Sequence, residues 1–304
     1  MKIQFFNGGL ANQAFQYIFA RYYELSHPGE IMYLDDSYFS LHTVHNGYEL
    51  EKVFGIKPHF LSVFFDEDVW KFLLEEKRNG KSVPQILCEN GIEMYMLSEV
   101  GDNYQHFNPF QGKVTLVPSN IYEPMIQDAP GDVYYHGYWL NKDWFDKYKN
   151  TFLKEFTFPP IQDEQNRKYQ EQILNSHSIS IHIRRGDFVN LGIAMDTIHY
   201  KNLIIRFATE LKLHPELEQN IKKWNIFVFS DDINWCKESA AEIGLHAFGN
   251  AVFVEGNTNG KNYIDLQLMS MCEGMLMSNS SFCYLAALLN TGRKITVNPT
   301  RRNL

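Results

Sequence analysis

The sequence predicts an α/β protein made of two Rossmann-like domains that face a central cleft. Three observations carry this. The chain opens with an apolar strand, a glycine turn, a helix and a second strand, the start of a parallel sheet. A Pro-Pro break in "FTFPPIQDEQ" (156–165) then interrupts the pattern with a polar stretch. After it, five short strands alternate with helices to the end of the chain, the rhythm of a doubly wound domain. The expected domains are 1–157 and 158–304.

In order, the first strand is expected at Lys2–Phe6, the first helix at Gln13–Leu25 and the second strand at Ile31–Leu34. Residues 35–130 are the least regular part, with a helix near 66–78 and a strand near 113–118. "DVYYHGYWLNKDWFDKY" reads as a strand over 132–139 and a helix capped by Asn141. Past the prolines, helices are expected over 162–175 and 199–214, across "DDINWCKESAAEIG", and across "YIDLQLMSMCE" and "SSFCYLAALLN". Strands are expected at 178–183, 225–230, 251–255, 274–278 and 294–298.

Composition narrows the function. The chain has 304 residues, 44% hydrophobic and 21% charged, a balance that folds. Its net charge of −8 speaks against a sequence-independent nucleic-acid binder, which needs a basic field. Four cysteines without a CxxC pair indicate neither a zinc site nor a disulfide framework. The N-terminus makes a poor signal-peptide core, and no run of 18 apolar residues occurs, so the expectation is a soluble cytoplasmic protein.

In open parallel sheets, ligands bind beyond the carboxyl ends of the strands. The residues just after the predicted strands are therefore the candidates. "SISIHIRRGDFVN" (178–190) delivers Arg184, Arg185, Gly186 and Asp187 at a strand end. Two permanently charged forks of donors suit a pyrophosphate. The plainer alternative is an exposed basic turn balanced by its own aspartate. After 225–230 come Ser230, Asp231 and Asp232, where one carboxylate can cap the next helix while the other meets a metal, a base or a ribose. After 274–278, Ser278, Asn279, Ser280 and Ser281 lead into a helix, whose start is a natural anion site. "NGGLANQ" matches neither GxGxxG nor the P-loop, but sets Asn12 and Gln13 at a helix start. Asp66–Asp68 fits a DxD metal pattern, yet it opens an amphipathic helix where acids suit the dipole.

Together these pieces resemble the α-1,2-fucosyltransferases (glycosyltransferase family 11), with "HIRRGDFV" also similar to the motif of the α-1,6- and protein O-fucosyltransferases. "FFNGGLANQAFQYIFAR", "FSDDINWCK" and "DLQLMSMCEGMLMSNSSFCYLAALLN" resemble the other motifs of the α-1,2 branch, in order along nearly the whole chain. The sequence departs at Ala11, where the family has Gly, and at Cys283, Tyr284 and Leu285, where it has Ser-Trp-Trp; Tyr284 is the candidate to replace a lost ring contact.

The resemblance implies a GT-B fold with an acceptor-side N-terminal domain and a GDP-fucose-binding C-terminal domain. It implies inverting, metal-independent transfer of L-fucose from GDP-β-L-fucose to a galactose 2-hydroxyl, with no cofactor beyond the donor. Arg185 becomes the β-phosphate clamp, and Arg184 supports the loop or the phosphate. Asn279, Ser280 and Ser281 hold phosphate oxygens. Ser230, Asp231 and Asp265 meet the base, ribose or sugar, and Asn12 and Gln13 close over the donor. The acceptor's proton goes to Asp187 or to His182, unless His182 is simply packed at its strand end. The implied partner is a galactose-terminated oligosaccharide or glycolipid, met by a bacterial enzyme at the inner face of the membrane. A different linkage, a metal hydrolase built on His182, Asp187, Asp231 and Asp232, and a non-catalytic sugar-nucleotide or glycan-binding module are the rivals.

Overall fold

The computed structural model describes residues 1–43, 46–100, 103–108, 113–118, 129–213, 224–247, 249–293 and 295–298. It divides into two compact units, Met1–Glu155 and Phe156–Leu304.

The first unit is built on a mixed sheet of order β2-β1-β6-β3-β4-β5. The strands are β1 (Lys2–Phe5), β2 (Met32–Asp35), β3 (Tyr95–Val100), β4 (Asn103–Asn108), β5 (Lys113–Pro118) and β6 (Val133–His136). β2, β1, β6 and β3 are parallel, and β4 and β5 extend the sheet antiparallel. One face carries Ile3 and Tyr134 against Leu61, Leu73, Val83, Ile86 and Leu87. The last four of these helix residues come from α5 (Glu67–Arg78) and α6 (Val83–Glu89), which follow α1 (Leu10–Ser26), α2 (Ser37–Leu41), α3 (Leu50–Phe54) and α4 (Leu61–Phe64) in the chain. The Phe19 ring of α1 packs on Tyr135, Trp139 and Trp144. The unit closes with α7 (Lys142–Lys147), capped by Asn141, and α8 (Lys149–Glu155).

The second unit is an all-parallel sheet of order β11-β10-β7-β8-β9. Its strands are β7 (His177–Ile183), β8 (Trp224–Ser230), β9 (Gly249–Phe253), β10 (Gly274–Leu276) and β11 (Ile295–Val297). The helices are α9 (Glu164–Leu174), α10 (Gly186–Asn190), α11 (Thr197–Lys212), α12 (Ile233–Glu238), α13 (Ala240–Ile243), α14 (Asn262–Met269) and α15 (Ser281–Leu289). Ile179, Ile181 and Ile183 pack with Ile226 and Val228 against Tyr200, Leu203 and Phe207 of α11. The alternation in "SISIHI" looks like a half-exposed strand, but both faces of β7 are buried. A central parallel strand is covered on both sides, and its polar face is satisfied internally: Ser180 Oγ donates to the Gly274 carbonyl, and Ser178 Oγ accepts from Glu273 N.

Several expectations shift at element ends. α1 begins at Leu10, three residues early, because Leu10 N finds a partner in Glu49 Oε2 (3.1 Å). β6 stops at His136, because Tyr138 N and Trp139 N donate to Glu99 in a turn. "DDINWCKESAAEIG" is two helices broken at Ser239. The pair Asp66–Asp68 is a helix start: Asp66 accepts from Val69 N at 2.9 Å as the cap of α5. The cysteines are free thiols, three of them buried. Among the described residues no helix is long and apolar enough to cross a membrane.

Candidate functional site

In the second unit the chain runs β7, β8, β9 to one side, then crosses back to place β10 and β11 on the other. The strand order therefore reverses between β7 and β10. A crevice opens at such a reversal beyond the carboxyl ends. The residues there are Arg184–Asp187 after β7 and Ser278–Ser281 after β10, two groups 90 positions apart in sequence.

The first group is organised by Asp231, just past β8. Its Oδ1 accepts from Arg185 N (2.8 Å) and its Oδ2 receives Arg184 Nη1 (2.7 Å). This approach is so close that a Cβ on Gly186 would stand 2.5 Å from Asp231 Oδ2, so only glycine fits. Asp231 is thus fully engaged inside the motif. Ser230 Oγ accepts from Asp232 N (3.0 Å), and Asp232 caps α12 through Trp235 N (3.2 Å).

The two arginines differ in what remains free. Arg184 spends both terminal nitrogens, Nη1 on Asp231 and Nη2 on Asp187 Oδ1 (2.6 Å). Arg185 is held from behind: Nε donates to Asp232 Oδ2 (3.3 Å) and the guanidinium lies 3.9 Å from the centroid of the Trp235 ring. A cation on a Trp face is favourable by about 1 kcal/mol. Nη1 and Nη2 of Arg185 have no partner among the described residues. Trp235 was missed as a site residue; its signal was its place three residues after the capping Asp232 in "DDINW".

In the second group Ser280 caps α15 by accepting from Phe282 N (3.3 Å). Asn279 Nδ2 donates to the Ile193 carbonyl (2.9 Å), while its buried Oδ1 has no partner among the described residues. Ser281 opens the helix, whose first turn contains no acid. Cys283 Sγ donates to the carbonyls of Ser280 (3.0 Å) and Ser278 (3.3 Å), so the thiol in place of the family's hydroxyl staples this turn. Tyr284 and Leu285 are buried, and Tyr284 donates to Asn298 Oδ1 (3.1 Å). Tyr284 is therefore a packing residue and offers no ring to a ligand.

His182 is also packed. It is 6% exposed, its Nδ1 lies 2.7 Å from Ser278 Oγ, and its ring stacks on Phe282. Burial, then the Arg184 charge, lower its pKa to about 3, so it is neutral. It joins β7 to the turn after β10, whereas Asp187 is half exposed with Oδ2 unbonded among the described residues.

Asp265, on α14, lies apart from this cluster in hydrogen-bond terms. Its Oδ1 accepts from Asn257 Nδ2 (2.7 Å), and Asn257 exchanges amide bonds with Asn166, which meets Asp163. With one neutral donor, burial pushes its pKa up to about 7.

In the first unit Gln13 is fully buried and spent: Nε2 donates to the carbonyls of Gly8 (2.8 Å) and Gly47 (2.9 Å), and Oε1 accepts from Glu49 N (2.9 Å). It cannot close over a donor; it fastens the glycine loop to the 47–49 segment. Asn12 is partly buried and folds back on Gly8. The start of α1 is already occupied by the buried Glu49 side chain, whose other oxygen accepts from Asn46 Nδ2 (3.1 Å). This residue was missed because only the fold brings it to a helix 39 positions away.

Comparison with known proteins accords with this geometry. The family model "Glycosyl transferase family 11" matches residues 127–303, more than half of the chain. An alpha-1,2-colitosyltransferase of Escherichia coli is 29% identical over 96% of this chain and 89% of its own. The O-antigen biosynthesis glycosyltransferase WbnK of Escherichia coli is 24% identical over 97% of this chain and 92% of its own. Among solved structures, fucosyltransferase NodZ from Bradyrhizobium superposes with a TM-score of 0.51 at 12% identity, covering 95% of this chain and 92% of that one. That likeness is one of fold, and the fold is of GT-B type.

Proposed function

The chain belongs to glycosyl transferase family 11, and from that premise we propose that it transfers L-fucose from GDP-β-L-fucose to the 2-hydroxyl of a galactose residue, with inversion and without a metal. The observation that carries this is the free fork of Arg185 at the reversal of the second sheet, beside a helix start that holds no acid of its own.

As the bond from the sugar's anomeric carbon to the β-phosphate oxygen breaks, its electron pair leaves with GDP. Arg185 Nη1 and Nη2 meet the growing negative charge, fixed in place by Asp232 and Trp235, so little reorganisation is needed. Ser280, Ser281 and the N–H groups of α15 receive phosphate oxygens. Arg184 holds the loop through Asp231. The acceptor oxygen bonds to the anomeric carbon from the opposite face and loses its proton to Asp187 Oδ2. Asp265 takes a donor group of the base, ribose or sugar. The acceptor is a lipid-linked glycan at the inner face of a bacterial membrane, a reading supported by the O-antigen role in the name of the relative WbnK.

A second donor is favoured by the colitosyltransferase relative. Colitose is fucose without its 3-hydroxyl, so the same diphosphate site serves both. The test is a panel of galactosides with GDP-fucose or GDP-colitose, reading GDP release and then product linkage, with and without EDTA. An α-1,2 product unaffected by EDTA is expected. Absence of transfer to every galactoside, or loss of activity to the chelator, refutes the proposal.

A further inference from the structure

The first sheet has its own reversal. From β1 the chain goes to β2 on one side, and all later strands lie on the other, so the order reverses between β1 and β6. Phe5 and His136, the last residues of those strands, stack there with ring centroids 4.9 Å apart.

The turn after β6 is strained. Trp139 has φ +56°, the left-handed region, which a bulky residue seldom occupies. Three contacts hold it. Glu99 Oε2 accepts from both Tyr138 N (2.8 Å) and Trp139 N (2.9 Å). Trp139 Nε1 donates to Gln4 Oε1 (2.6 Å), and Gln4 Nε2 donates to the Gly137 carbonyl (3.0 Å). The Trp139 ring stacks on Phe19 at 4.6 Å. Gly137 makes this possible, since a Cβ there would stand 2.6 Å from Glu99 Cβ.

The residue this clamp presents is Tyr138. It is 42% exposed and its ring has no aromatic partner among the described residues. Core packing does not require it, and together with His136, which ends β6, it stands beyond the carboxyl end of a strand at the reversal, the position where an open sheet receives ligands. Lost hydration against Phe5, then the Lys77 ammonium, lower the pKa of His136, while Asp35 opposes this. A neutral imidazole has one donor and one acceptor nitrogen, which suits a hydroxyl.

We infer that Tyr138 and His136 form a subsite for a neutral pyranose ring of the acceptor glycan, Tyr138 lying against the ring's apolar C–H face and His136 bonding a hydroxyl. This rests on the proposed assignment of the first unit to the acceptor. Two readouts separate it from the fucosyl-transfer proposal. In steady-state transfer, Tyr138→Ala is expected to raise the acceptor KM by about tenfold, leaving the donor KM and the acceptor-free hydrolysis of GDP-fucose within about twofold of wild type. Tyr138→Phe should behave as wild type, and His136→Gln should fall between. In saturation-transfer NMR, wild type should bind methyl β-galactoside, and Tyr138→Ala should lose that signal. An unchanged acceptor KM, an equal change in donor KM, or no galactoside binding by wild type overturns the inference. If wild type binds the galactoside through Tyr138 but transfers no fucose, the subsite stands and the proposed reaction falls.

Discussion

Two of the turns that lead from a strand into a helix, Asn7–Gly9 and Met277–Ser280, end in opposite ways. At α1 the chain supplies its own acceptor: Glu49 takes the first N–H of the helix and Gln13 fastens the loop around it. At α15 the chain supplies a hydroxyl cap and, across the reversal, a guanidinium whose two terminal nitrogens have no partner among the described residues. The glycine-rich turn looks more like a phosphate loop in sequence, yet the first N–H of its helix is already taken by a side chain. Whether a helix start is a ligand site depends on whether the fold has brought a carboxylate to it.

The largest expected effect tests the open end. Arg185→Lys keeps the charge but loses the paired fork, and should lower kcat/KM by about 10²-fold or more. Wild-type turnover of GDP-fucose by that variant would end the clamp assignment. Next, Glu49→Ala tests the closed end. It takes the partner from Leu10 N, so thermal unfolding should show a loss of about 2 kcal/mol, while calorimetry should find the Kd for GDP unchanged. Tighter GDP binding would mean that the α1 turn is a phosphate site that Glu49 blocks.

Ser280→Ala should do the reverse, costing about 1 kcal/mol of stability and weakening GDP binding by about three- to tenfold. The smallest effect is pH-dependent. The pKa of Asp265 is raised in the folded state to about 7, so folding favours its protonated form. Its contribution to stability is full at low pH and is lost as pH rises from the ordinary aspartate range through about 7. Asp265→Asn should flatten the pH dependence of Tm across that window and raise Tm at pH 8. A variant as pH-sensitive as wild type would show that Asp265 ionises normally.

Much of this was legible beforehand, for local reasons. The five strands of the second unit stand where apolar runs sit between helix patterns, and Asn141, Asp232 and Ser280 cap helices as their positions suggested. The arginine pair was legible as a charged strand end. Which arginine is free was not, because Asp231 and Asp232 arrive from the next strand and divide the two between them. Gln13 read as a ligand contact, and His182 as a proton acceptor or a packed strand-end residue, because motif positions say nothing of burial; Gly8 and Gly47 take up Gln13, and Ser278 and Phe282 pack His182. The region 35–130 gave little away, since its short helices and antiparallel strands have weak periodicity.

The sequence by itself determined the α/β class, the order of the strands along the chain and the chemical types at their ends, because backbone periodicity and helix capping act over a few residues. Tertiary structure alone decided the strand order in each sheet, and with it which strand ends meet at a reversal. It decided which polar groups are spent on the protein and which are left for a ligand, because Glu49, Glu99 and Asp231 act on Leu10, Trp139 and Arg185, which lie 39, 40 and 46 positions away.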